Sequence, residues 1–269
     1  MLGAAIVHPD EKVVLPLAPE PIIKGDGIVK NDCERNAAKR LLTDFRREHP
    51  YLKAIVIEDG LAANYPHLAL LDDLNLPYII SVQPGDHDFL FDWVKHAQLK
   101  AITLAKDHHK YILRYLNDVP LNDVHFDYHV NFLECIEERP NGERLHFTWI
   151  TKWIITADNV FKLMRAGRAR WRIENETFNT LKNMGYNFEH NYCHGYNNLC
   201  TNFTMLMLLA FLIDQVQLLC CKLYQKFKRR ERLWHGVFER IRGLFIFFTW
   251  DSWQQLYEYW VYQPLGTET

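Results

Sequence analysis

Between Arg165 and Lys182 the chain reads RAGRARWRIENETFNTLK. Basic residues, an aromatic and two carboxylates fall together on a stretch whose apolar spacing predicts a helix. Phosphodiester chemistry uses that mixture. A carboxylate such as Glu174 can hold a divalent metal, while Arg165, Arg168, Arg170, Arg172 and Lys182 can sit on the phosphates of a nucleic-acid strand. From Lys162 to Arg172 there are five basic residues and no acid, a local charge of +5 in a chain of net charge −2. The patch, not the net charge, marks where a polyanion would bind. A solvated surface helix laced by i,i+4 pairs, Arg170 with Glu174 and Arg172 with Glu176, accounts for the same charges. Trp171 offers a face for stacking on a base, although a Trp at a helix start is more often core.

Asp59 is the other carboxylate placed for chemistry. It follows an unbroken apolar run, Leu52 to Ile57, which predicts a strand covered on both faces. An acid directly after such a strand faces the edge of an α/β sheet where ligands bind. His190, Cys193 and His194 lie close together, and His108 adjoins His109, but a closed zinc site needs a fourth ligand. The six cysteines, Cys33, Cys135, Cys193, Cys200, Cys220 and Cys221, show no CxxC spacing. Neither a zinc ribbon nor a disulfide scaffold is indicated, and reduced thiols are expected. A second basic run, Lys222 to Arg232, carries six bases and one acid and reads as a solvated helix end.

The stretch around Glu174 resembles the signature of insertion-sequence transposases of the Asp-Asp-Glu type, in which an Arg-Trp-x-Ile-Glu run opens a helix and a Phe and a Leu-Lys pair follow. The matching residues are Arg170, Trp171, Ile173, Glu174, Phe178, Leu181 and Lys182. The segments Asn31 to Asn36 (NDCERN), Ala54 to Gly60 (AIVIEDG), Ala157 to Phe161 (ADNVF) and Gly185 to Asn191 (GYNFEHN) resemble the same family, so the resemblance covers most of the chain. It implies an α/β fold with a ribonuclease-H-like mixed sheet and flanking helices, interrupted by an inserted β-rich region. Asp59 and Glu174 become the second and third acids of a catalytic triad, holding Mg²⁺ or Mn²⁺ in a two-metal site. The implied partners are the DNA ends of a mobile element and further copies of the chain in a synaptic complex.

The resemblance is incomplete in two places. The family's Lys follows its Glu by seven positions, whereas Lys182 lies eight after Glu174 and six after Glu176, so Glu176 stands as the alternative catalytic acid. The family's first acid sits on a central strand ahead of the hairpin that here begins at Met1. Asp10 falls in the hairpin turn and Asp26 in a Gly-rich loop, and neither is a convincing substitute. The expectation is an N-terminally truncated transposase, inactive by itself because its two-metal site is incomplete. The alternative is a catalytically inactive DNA-binding remnant that inhibits the full-length enzyme.

These residues need a scaffold, and 269 residues with 48% apolar and 14% aromatic content can bury a substantial core. The expected division is 1–105 for the first part of the catalytic domain, 106–157 for the β-rich region and 158–269 for a helical part carrying Glu174. Gly3 to Val7 and Val13 to Leu17, joined by turn-forming residues, predict an antiparallel hairpin. Asp32 or Asn31 is expected to cap a helix running through Arg35, Leu42 and Phe45 and stopped at His49 and Pro50. A helix over Pro66 to Leu74 and a strand over Tyr78 to Val82 follow. Strands are then expected over Tyr111 to Tyr115, Val124 to Cys135 and Leu145 to Ile155, with a turn from Pro140 to Gly142. The longest apolar run, Phe203 to Ile213, falls short of the roughly 18 residues of a membrane span and predicts a buried core helix. The N-terminus lacks a signal peptide's charged start. A cytoplasmic protein with no membrane partner is therefore expected.

Overall fold

The computed structural model describes residues 1–22, 32–190, 198–231 and 233–262. They form two compact units. One consists of Leu2 and Glu20–Arg170, the other of Met1, Gly3–Pro19 and the chain from Trp171 onward.

The hairpin opens the chain as expected, with β1 (Ala5–Ile6) antiparallel to β2 (Leu15–Pro16) in a sheet of two strands. Pro16, which has no N–H to donate, keeps the pairing short.

The sheet-bearing unit begins with α1 (Glu34–Glu48), whose Ala37, Ala38 and Leu42 recur at helical spacing and are buried. The expected cap differs. Cys33 occupies the N-cap position without a side-chain hydrogen bond. Asp32 is instead engaged by Arg40, whose Nη2 lies 2.7 Å from Oδ2, and Asn31 lies outside the described residues. Next come β3 (Val56–Glu58), α2 (Tyr65–Asp73), β4 (Tyr78–Ser81) and α3 (Asp88–His96). The four long strands β5 (Lys100–Lys106), β6 (His109–Pro120), β7 (His129–Glu138) and β8 (Arg144–Thr151) lead to α4 (Val160–Arg168).

All six strands belong to one mixed sheet in the order β3-β4-β8-β7-β6-β5, flanked by helices. The expected α/β class with a mixed sheet is therefore present. β3 and β4 are parallel, and β8 returns antiparallel to β4 through Ile79 opposite Thr151 and Ile80 opposite Ile150. The strands of the expected β-rich region thus continue the sheet that carries Asp59. β3 corrects one expectation: it is a three-residue edge strand with half-buried residues, not a strand covered on both faces. Neither α3 nor β5 was foreseen. β5 turns into β6 through Asp107 and His108, both at positive φ (53° and 64°), the pairing of conformations a tight hairpin needs.

Alternation along β4 and β7 feeds two apolar layers. Tyr78, Ile80, Val130 and Phe132 join Leu68, Leu71, Leu90 and Ile150 in one cluster. Ile79, Leu133 and Cys135 join Leu113, Trp149, Leu163 and Met164 in the other. α4 approaches the sheet at Gly167, where an added Cβ would lie 2.7 Å from Trp149 Nε1 and 3.1 Å from Ile79 Cγ2.

The second unit continues from Trp171 through a π-helical turn (Ile173–Phe178) into α5 (Asn179–Asn183), α6 (Leu199–Cys220), α7 (Lys222–Arg230), α8 (Trp234–Phe247) and α9 (Trp253–Tyr262). Its cores are small: Val14, Leu181, Leu208 and Phe211 in one, Tyr224, Phe227, Val237, Leu256 and Tyr257 in another. α6 departs from the expected buried helix. It runs for 22 residues, of which only Leu208, Phe211 and Gln215 are buried. It is also long and apolar enough to cross a membrane by length and composition, so a short apolar run no longer excludes a span.

Candidate functional site

Parallel strands place their carboxyl ends together, and ligands of open α/β sheets bind there. Asp59 follows β3 at that end and is exposed. Its Oδ1 accepts a hydrogen bond from the Leu61 N–H at 3.2 Å, which starts a 3₁₀ turn (Gly60–Ala62) and orients the carboxylate. Beside it, Glu58 Oε2 lies 2.7 Å from Nε2 of His67 on α2. The segment after β4 folds back toward the same place. Gln83 Nε2 donates to Asp86 Oδ2 at 2.7 Å, and a Cβ on Gly60 would stand 3.5 Å from Ser81 O and 3.9 Å from Asp86 Oδ2. Burial pushes the His87 imidazole below its ordinary value, against the nearby Asp86 charge. Its Nε2 is buried without a hydrogen-bond partner.

The two sequence neighbours of Asp59 are therefore engaged, Glu58 by His67 and Gly60 by the turn that carries Asp86, and sequence reasoning singled out only Asp59. Pro84 and Gly85 have turn chemistry, but nothing in their spacing says that Asp86 returns to Gly60. Among the described residues, no group of three or more His, Cys, Asp or Glu is placed to hold a metal ion.

The basic stretch divides by environment. On α4, Arg168 donates from Nη1 to Glu137 Oε2, and its guanidinium lies 4.0 Å from the centre of the Phe147 ring. Glu137 is buried and also receives His109 Nδ1 at 2.7 Å and Arg139 Nε at 3.3 Å. Burial pushes that carboxyl up, but Arg168, His109 and Arg139 outweigh it and hold Glu137 below the usual carboxylate range. Arg168 is thus an internal ion-pair partner. Arg165 and Arg170 are half-buried. Arg172 is buried and donates to Pro9 O at 2.9 Å instead of pairing with Glu176. Lys182 is exposed and lies 2.9 Å from Glu189. Trp171, expected as core, is 42% exposed, with the Arg172 guanidinium 5.3 Å from its ring.

Glu174 is exposed and Glu176 half-buried, and both lie on the π-helical turn. The Asn179 N–H bonds the Glu174 carbonyl, five residues back instead of four. Such a turn accommodates one extra residue in a helix. Eight positions from Glu174 to Lys182 therefore span what seven span in an uninterrupted α-helix. Asp59 belongs to the sheet-bearing unit and Glu174 to the helical one. His109 is committed to Glu137, and of the other histidine group Cys193 and His194 lie outside the described residues. The chain matches no protein-family model and no curated protein.

Proposed function

We propose that this chain carries two of the three acids of a DNA transposase of the Asp-Asp-Glu type, an enzyme built on a ribonuclease-H-like sheet that performs divalent-metal-dependent cleavage and strand transfer at the ends of a mobile element. The observation that carries this reading is the exposed position of Asp59 at the carboxyl end of the parallel β3–β4 pair, its carboxylate oriented by the Leu61 N–H. The π-helical turn supports Glu174 over Glu176 as its partner acid, because the wider turn absorbs the one-residue excess before Lys182.

Asp59 and Glu174 are exposed hard oxygen donors, the ligand type that Mg²⁺ and Mn²⁺ take. Bound cations would activate the attacking oxygen and neutralise charge on the leaving one. Arg165, Arg170 and Lys182 would grip phosphates without reading sequence, and the exposed face of Trp171 suits stacking on a base. Arg168 and Arg172 serve the fold instead.

A second reading, a catalytically inactive DNA-binding protein that inhibits an active transposase, needs only phosphate contacts such as Arg165, Arg170 and Lys182 could make. One experiment separates the two. Fluorescence anisotropy of a labelled duplex against salt, beside Mn²⁺-dependent nicking of supercoiled plasmid, is measured for the chain and for Arg165→Ala/Arg170→Ala, Asp59→Asn and Glu174→Gln. Salt-dependent binding weakened by the double substitution, with nicking lost in the two acid variants, supports the enzyme. Binding without nicking supports the inhibitor. No binding, or binding indifferent to both arginines, overturns both.

A further inference from the structure

α3 sends two rows of side chains in different directions. Leu90 and Val94, one turn apart, are buried in the core beside the sheet. Phe89 and Trp93, also one turn apart, meet Phe126 from the loop between β6 and β7. The ring centres are 6.1 Å apart for Phe89 and Trp93, 6.4 Å for Phe89 and Phe126, and 5.7 Å for Trp93 and Phe126. The Phe126 ring stands edge-on to both others. These rings are not sealed into the core: Trp93 is 41% exposed, Phe126 47% and the neighbouring Val124 77%.

Acids frame the rings. The two segments that carry them, 86–93 and 121–128, hold five aspartates and no Lys or Arg. Asp88 and Asp92 line an open cleft of about 450 Å³ together with Phe89, Phe91 and Lys95. Asp123 and Asp127 flank Phe126 in the loop, and all four of these acids are exposed. Among the described residues, Asp88, Asp123 and Asp127 form no ion pair, and Asp92 meets only His96, at 3.9 Å.

We infer that this patch is a docking surface for a basic peptide segment of another protein, whose arginine or lysine side chains lie over the exposed ring faces and pair with the aspartates. Charge selects that occupant. The face of an aromatic ring is the negative end of its quadrupole and attracts a cation, and the carboxylates around it add charge of the same sign. The same charges repel phosphates, which turns nucleic acid and anionic lipid away from this side of the unit. The rings also hold one another in place, so little side-chain freedom is lost when a partner settles on them. An aromatic centre inside a charged rim is the make-up of a protein interface. The inference is independent of the transposase reading, since it uses neither Asp59 nor Glu174.

Fluorescence anisotropy of a fluorescein-labelled nona-arginine peptide, titrated with the full chain, tests it. Two variants probe the patch, Trp93→Ala/Phe126→Ala and Asp88→Asn/Asp92→Asn. A third, Glu239→Gln/Glu258→Gln, removes two exposed carboxylates from the other unit and changes the net charge equally. Circular dichroism checks that each keeps the wild-type fold, and the aspartate pair, lying on the surface, tests the patch even if loss of the rings disturbs α3. The expected result is binding that weakens with added salt, reduced at least about threefold in both patch variants and unchanged in the third. No binding by wild type, binding indifferent to either patch variant, or an equal loss in the third variant overturns the inference. So does wild-type flotation with phosphatidylserine vesicles that is lost in Trp93→Ala/Phe126→Ala.

Discussion

Arg168 on α4 donates to the buried carboxylate of Glu137 on β7, thirty-one positions earlier in the chain. The contact turns one of the most conspicuous arginines of the basic stretch away from solvent and fastens α4 to the sheet. Glu137 is the natural recipient: it is 3% exposed and could not remain ionised there without cationic partners.

Replacing Arg168 by Ala should therefore damage the fold before it damages nucleic-acid binding. A buried carboxylate that loses a partner typically costs about 3–5 kcal/mol. His109 and Arg139 still reach Glu137, so we expect a loss of about 2–3 kcal/mol, read as a lower urea midpoint. Arg168→Ala/Glu137→Gln should recover part of the loss, because no buried charge is left uncompensated.

The same carboxylate sets an acid limb. Its folded-state pKa is depressed, so its contribution is fully present above the unfolded Glu value, about 4.3, and is lost as pH falls through the lower folded value. Melting temperature followed downward from neutral pH should drop through this window, and Glu137→Gln should flatten that limb. Asp214 acts with opposite sign. Burial raises its pKa despite the bonds from Tyr186 and Tyr224, so its contribution is greatest below the unfolded Asp value and declines as pH rises toward the folded one.

Gly167 is expected to reject even one methyl group. An Ala side chain would meet the Trp149 ring at 2.7 and 2.8 Å, too close without moving α4 or the indole. Overpacking of this kind costs about 1–3 kcal/mol, and thermal denaturation of Gly167→Ala should show it. A melting temperature equal to wild type would mean that α4 does not pack on the sheet as described.

Asp59→Asn separates chemistry from folding. The Asn side chain keeps an acceptor for the Leu61 N–H, so stability should stay within about 0.5 kcal/mol of wild type. Any Mn²⁺-dependent nicking should vanish with the charge. Asp59→Ala, which also removes the acceptor, should cost about 1 kcal/mol more. Nicking that persists in Asp59→Asn would remove this residue from the site.

Local chemistry made several features legible from the residues alone. The spacing of Arg35, Leu42 and Phe45 specified α1, the apolar run before Asp59 specified a strand ending in an acid, and proline and glycine marked the turn after β7. Those signals depend on neighbours within a turn or two, which is the range over which backbone preference and side-chain periodicity act. Only tertiary structure decided the rest. Whether an arginine reaches solvent depends on a carboxylate thirty-one residues away, so Arg168 and Arg172 could not be told from Arg165 by spacing. Gly60 meets Asp86 because β3 and β4 are parallel and end at the same edge, a fact of strand pairing that no local pattern encodes. α6 shows the same division: its apolar content foretold a helix, but which face would be covered was set by the partners of Asp214 and Gln215, which leave Leu206, Leu209, Ile213 and Val216 outside.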